Sequence, residues 1–192
     1  MLFLFVRNAR NRYRFFCPAA SAVVPPGSSK AKEAWEKAKR KVVNLNPRTL
    51  RQEQAFALAA RTPRASIKVL HSGLIEDRRL RLKFAFFLQR QRTRHIAALA
   101  LEALAVPVTG LAAILPGPNL LFYVLAMIMI LQWQALKGIN RLIHRPHEFA
   151  ADPVLAEWEE AVARGDETAF PGILSRLEQA HDVEKAGRIL WK

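Results

Sequence analysis

Ile96–Leu115, IAALALEALAVPVTGLAAIL, is followed by Pro116-Gly117-Pro118-Asn119 and then by Leu120–Leu136, LLFYVLAMIMILQWQAL. Across this whole stretch Glu102 is the only charged side chain, in a chain where charged residues make up 24% of the total. Read as helices at about 1.5 Å per residue, the two apolar pieces would reach about 30 and 25 Å, an average and a thin hydrocarbon core. Between them each proline lacks an N–H and clashes with the preceding turn, while Asn119 is a good N-cap for the second piece. The stretch therefore predicts a membrane-spanning helical hairpin over residues 96–136, with a hairpin buried in a soluble core as the alternative.

Both outer ends of the hairpin are basic. Arg90, Arg92, Arg94 and His95 precede it, Lys137, Arg141, His144 and Arg145 follow it, and the turn is uncharged. By the positive-inside rule both chain termini are expected on the cytoplasmic or matrix side. The net charge of +14 is unevenly placed. Residues 1–145 hold 25 Lys/Arg against 6 Asp/Glu, and residues 146–192 hold 5 against 10. A basic front beside an apolar hairpin points to anionic lipid headgroups, each Lys or Arg near the surface contributing about 1 kcal/mol. Nucleic acid is the competing partner, but no zinc-finger spacing, glycine/aromatic signature or other reader motif is present. The single Cys17 excludes an intrachain disulfide and fits a reducing compartment.

Upstream of the hairpin, LIEDRRLRLKFAFFLQRQRTRH packs seven Lys/Arg between Arg78 and Arg94 around Leu80, Leu82, Phe84, Phe86, Phe87 and Leu88, which predicts one long helix entering the first apolar segment. Asn46-Pro47 and Thr62-Pro63 each read as an N-cap followed by a proline at the first helical position, predicting two short helices. Ala31, Ala34, Trp35, Ala38 and Val42 form a stripe on a basic amphipathic helix, and Pro25-Pro26-Gly27-Ser28-Ser29 reads as a linker. Residues 1–24 are apolar, arginine-rich and free of acid, a composition like that of a mitochondrial presequence; the structural alternative is a strand and turn, LFLFV then YRFF. Beyond Arg145, Asp152-Pro153 caps a helix that ends at Gly165, and PGILSRLEQAH and DVEKAGRILWK are two further amphipathic candidates.

These readings divide the chain into a strand/turn segment over 1–24, a basic helical region over 25–95, the hairpin over 96–136, and a basic exit with an acidic helical region over 137–192. The expected fold class is mainly α: an integral membrane helical hairpin with basic amphipathic helices before it and a small acidic helical region after it. Lys37, Arg40, Lys41, Arg78, Arg79 and Arg81 are the expected contacts to anionic lipid, and the acidic tail is the expected contact to a protein partner, or a second copy completes the assembly.

Glu102 is the candidate proton or ion site, because an acid in an apolar span is costly. Folding the hairpin symmetrically about its turn puts Glu102 level with Trp133, with Gln134 and Lys137 in reach. Near the basic boundary Glu102 is either an acid neutralised by Lys137, Arg94 or His95 or, failing that, a proton carrier. Pro107 and Gly110 break the first apolar segment, as a kink or as unwound backbone of the kind that coordinates cations. His144-Arg145-Pro146-His147-Glu148 superficially resembles a ligand cluster, but the proline breaks helical presentation and no metal site is expected. No phosphate loop, nucleophile elbow or paired-carboxylate motif appears, so neither an enzyme nor a cofactor is expected.

The hairpin and its exit carry a resemblance. Pro116, Pro118, Asn119, Phe122 and Tyr123, then Trp133, Ala135, Leu136, Lys137 and Gly138, are similar to the signature of the mitochondrial potassium/proton exchange-related family. FLFVRNARNRYRFFC, KEAWEKAKRKVV, RTRHI and GRILWK are weaker matches. The resemblance implies an inner-membrane protein connected with potassium/proton exchange, as participant or regulator, and adds Asn119, Tyr123 and Lys137 to Glu102 as candidate ion or proton site residues. Between Tyr123 and Trp133 the chain is aliphatic where relatives carry an arginine and further aromatics. The match of its first residues to the start of the family's domain leads us to expect a bacterial member without a removable presequence. Two other classes stay open on the residues alone: a structural membrane adaptor binding anionic lipids and a protein partner, and a soluble nucleic-acid-binding helical protein.

Overall fold

Leu2-Phe3-Leu4-Phe5-Val6-Arg7 forms strand β1, and its four residues from Phe3 to Val6 are all buried, so both faces of the strand are covered. A continuous apolar run of this kind belongs at the centre of a sheet, not at its edge. In the computed structural model, which describes residues 1–18, 47–62, 66–111, 120–181 and 186–190, β1 is indeed flanked on both sides. Antiparallel β2 (Tyr13–Phe16) pairs Phe5 with Phe15, and parallel β3 (Ile67–His71) pairs Phe3 with Val69. β4 (His147–Ala151) completes the order β2-β1-β3-β4.

The described chain falls into two units. The sheet belongs chiefly to the unit formed by residues 2–55, 68–74 and 149–192. There Leu4, Val6, Phe16 and Leu70 pack with three helices, α4 (Pro153–Arg164), α5 (Phe170–His181) and the short α6 (Ala186–Leu190), through Leu155, Trp158, Phe170, Ile173 and Leu177. α4 begins where Asp152, in extended conformation, accepts from the Val154 and Leu155 N–H groups at 3.0 Å, and ends at Gly165 in the left-handed region with φ 70°. The Trp158 indole N–H donates to the Arg7 carbonyl at 2.6 Å, tying α4 to β1. Glu159, fully buried beside it, accepts from Ser72 Oγ at 2.8 Å and from the Tyr13 hydroxyl at 3.1 Å.

The second unit, Met1 with residues 56–67 and 75–148, is helical. It holds the C-terminal part of α1 (Pro47–Arg61), the long α2 (Asp77–Leu111) and α3 (Leu120–Ile143). Leu80, Phe84, Leu88 and His95 recur at helical spacing as the buried stripe of α2, and Met127, Ala135, Ile139 and Leu142 form that of α3. Gly138 is where α3 meets α1: a Cβ there would fall on the Phe56 carbonyl, 2.7 Å from its carbon and 3.3 Å from the Ala60 nitrogen.

Several expectations are corrected. The mainly α class gives way to a four-stranded mixed sheet with helices packed on it. No helix among the described residues is long and apolar enough to cross a membrane, so the integral hairpin is overturned. The physical reason lies in composition. About a third of the first apolar piece is alanine, it carries Glu102 and Pro107, and its described part is helical from Ile96 to Leu111, roughly 24 Å. In α3 the aliphatic run gives way to Gln132, Trp133, Gln134 and Lys137. The assignment of both termini to the inside rested on a crossing hairpin and loses that basis. The helix predicted after Thr62-Pro63 is not formed: Thr62 Oγ1 donates to the Leu58 carbonyl at 2.6 Å, finishing α1, and Ile67–His71 is strand β3. The amphipathic helix over residues 30–42, with Lys37, Arg40 and Lys41, and the turn with Pro116, Pro118 and Asn119 lie outside the described residues, as does the side chain of Tyr123.

Candidate functional site

Gln91, His95 and Glu102 sit on one face of α2, four and seven residues apart, which a 3.6-residue period stacks along the helix. Opposite them α3 presents Gln132. The His95 ring is 2% exposed, and its Nδ1 hydrogen-bonds Gln132 Oε1; the acceptor is a carbonyl oxygen, so the ring nitrogen donates. Phe56 lies edge-on to the same ring at 6.3 Å. Gln91 Oε1 and Glu102 Oε2 are covered and have no hydrogen-bond partner among the described residues. A polar line thus runs inside an otherwise apolar helix pair.

The His95–Gln132 bond sets the register of the two antiparallel helices. Two turns further along α2 is Glu102; two turns back along α3 is Leu125. Glu102 therefore lies level with Leu125, with Lys137 about 18 Å further along α3. The expected Glu102–Lys137 pair is not made, and Lys137 has no ion-pair partner among the described residues. Burial pushes the Glu102 carboxyl above its ordinary value, while the charge of His95 pulls it down more weakly. From Leu120 to Leu136 α3 contributes no charged side chain to oppose that desolvation.

Pro107 lies within α2 without ending it, and the helix continues through Gly110 to Leu111, so the backbone is not unwound at either residue. His144 Nδ1 contacts the Asn140 carbonyl at 2.7 Å and His147 Nε2 the Leu142 carbonyl at 2.9 Å, so both rings serve the carbonyls at the end of α3. Burial lowers the His147 pKa. Of the signature residues, Gly138 has a packing role, Ala135 is buried, Phe122 is partly exposed, and Trp133 is 63% exposed. Arg78, Arg79 and Arg81 all face outward from α2, with Arg79 3.8 Å from Glu76.

A second feature lies on the outer side of α3. An open cavity of about 590 Å³ is lined by Trp133, Leu136, Lys137, Asn140, Arg141, His144 and Arg145. Arg141 donates to the Ala60 carbonyl and Arg145 to the Thr62 carbonyl at 3.3 Å, both at the end of α1. Sequence reading missed the His95–Gln132 pairing because His95 was grouped with the basic flank; the four- and seven-residue spacing from Gln91 to Glu102 was the available signal.

Residues 19–145 match the model of a family described as mitochondrial K+-H+ exchange-related. No curated protein and no solved structure matches the chain.

Proposed function

Because this chain belongs to the mitochondrial K+-H+ exchange-related family, we propose that it takes part in potassium/proton exchange as a protonation-sensitive component of a larger assembly, with Glu102 as the group that gains and loses the proton. The family description supports the process. The observation that carries the residue is the covered Glu102 oxygen, without a hydrogen-bond partner or an adjacent lysine, on a helix whose burial favours the protonated acid. Such a carboxyl changes charge nearer to neutral pH than an ordinary one, and its ionisation inside the α2–α3 pair loads an apolar interface with a charge.

The assembly is completed at the inner membrane by a protein partner or further copies of the chain, since one helix pair offers no through-path of its own. Contact with anionic lipid involves the outward Arg78, Arg79 and Arg81. A membrane adaptor without a role in exchange is the second reading, favoured by the exposed Leu101 and Leu104 on α2.

The test is potassium-driven proton movement in membrane vesicles from cells that lack the chain, or carry it as wild type or as Glu102→Gln. The proposal expects exchange to need the chain, and the glutamine variant to remove its pH dependence while remaining folded. Exchange indifferent to the chain favours the adaptor, and full activity of Glu102→Gln refutes the assignment of the residue. Purified chain in proteoliposomes separates a component from a self-sufficient exchanger.

A further inference from the structure

We propose that the groove on the outer side of α3 is a binding site for the phosphate-bearing headgroup of an anionic phospholipid. Lys137 and Arg141, four residues apart, stack on one face of α3, and His144, in the turn just past its end, lines the same groove. Among the described residues no carboxylate lines the groove. The Lys137 ammonium is exposed, and the Arg141 guanidinium is oriented by the Ala60 backbone carbonyl; among the described residues Lys137 has no hydrogen bond or ion pair and no acid neutralises Arg141. A guanidinium held by one N–H presents the rest of its fork in a fixed plane, the geometry that suits a phosphate. Asn140 adds an amide donor between them.

Apolar surface continues from the same groove and decides between a free phosphate and a lipid. Towards the start of α3 the face passes from Lys137 to the exposed Trp133 and then to Ile130, which is 52% exposed. The same change occurs on α2 at the same level, as the His95–Gln132 bond sets it: Arg90, Arg92 and Arg94 are exposed on one side, and Ile96, Leu101 and Leu104 on the other. Two helices that turn from basic to apolar in one plane, with a tryptophan at the transition, match the layering of headgroup over acyl chain. A free phosphate would use only the basic half; a phospholipid uses both. Docking is at the surface, with the phosphate against Lys137 and Arg141 and the glycerol and upper acyl chain against Trp133.

This site rests on the lipid-contact part of the proposed function, and the experiment separates the two. Full-length chain is floated with vesicles of phosphatidylcholine, with and without phosphatidylglycerol, as wild type, Lys137→Gln, Trp133→Ala, and Arg78→Gln/Arg79→Gln. Lys137→Gln removes a side chain bonded to nothing described, so folding is not at stake. It is expected to weaken binding to the charged vesicles about 5-fold, the equivalent of about 1 kcal/mol for one cation at an anionic surface. Trp133→Ala is expected to weaken it several-fold as well, and excess inorganic phosphate at matched ionic strength to leave it in place. A smaller loss from the two-arginine variant than from Lys137→Gln marks a defined groove. Equal losses per charge mean diffuse attraction and overturn the site, displacement by inorganic phosphate overturns the lipid as its ligand, and no binding to charged vesicles by wild type removes both the site and the lipid contact.

Discussion

Replacing Gly138 by alanine tests the closest approach in the helical unit. Helix propensity alone favours alanine by about 1 kcal/mol. Against it, the new Cβ would collide with the Phe56 carbonyl and sit 2.7 Å from its carbon, and neither group is the free end of a flexible side chain. α1 and α3 would have to separate by on the order of 1 Å, loosening the contacts of Phe56, Ala59, Ala135 and Ile139, all buried within this unit. Overpacking of this kind costs about 1–3 kcal/mol, and a backbone neighbour puts it at the upper end. The net loss is then about 2 kcal/mol, or a fall in Tm of roughly 4–8 °C for a chain of this size. Gly172, in α5, is the internal control: nothing lies within 4 Å of the Cβ position there. Gly172→Ala is therefore expected to stabilise the chain by up to about 1 kcal/mol, the same substitution with the opposite sign. Thermal unfolding followed by circular dichroism reads both. A Gly138→Ala variant as stable as wild type would refute the close packing of α1 on α3.

Glu102→Gln is expected to raise Tm at neutral pH and to have no effect well below the ordinary carboxylate range, because a carboxyl whose pKa is raised in the folded state costs stability only as pH climbs through the unfolded and then the folded value. A gain of equal size at every pH would remove ionisation as its cause. Cys17, buried in the sheet unit with its pKa pushed up to about 12, is expected to resist maleimide at pH 8 in the native chain and to react promptly in denaturant. Rapid labelling without denaturant would show that the β1–β2 hairpin opens.

What the sequence made legible was local. Asp152-Pro153 and Gly165 announced α4 at both ends, and the stripe from Leu80 through Phe84 to Leu88 announced a long helix that runs on past Ile96. The sheet was harder to read because its strands lie far apart in the chain. LFLFV and YRFF were legible as strands, but IKVLH followed a Thr-Pro pair that imitates a helix start, and HEFAA is too short to show alternation. The membrane hairpin was misread for a different reason: counting apolar residues gave alanine the weight of leucine, and hid how far Glu102 and Pro107 dilute the span. Of the candidate site, Glu102 was singled out, but the level of α3 that it faces was not legible. The register of two helices depends on packing, and an assumed symmetric turn placed Trp133 where Leu125 stands.

The hydrogen bond from the Trp158 indole to the Arg7 carbonyl joins residues 151 positions apart. On the ribosome, at about 5–20 residues per second, Leu2–Arg7 would leave the tunnel roughly 8–30 s before α4 exists to cover it. Its parallel partner β3 also arrives late, since Leu2 pairs with Lys68. For that interval LFLFV is an uncharged apolar strand with both edges open, the kind of segment that pairs with other chains. Expression yield should therefore depend on chaperone supply and synthesis rate more than on the stability of the finished fold, and a variant that lightens Phe3 or Phe5 would trade native packing for safer synthesis.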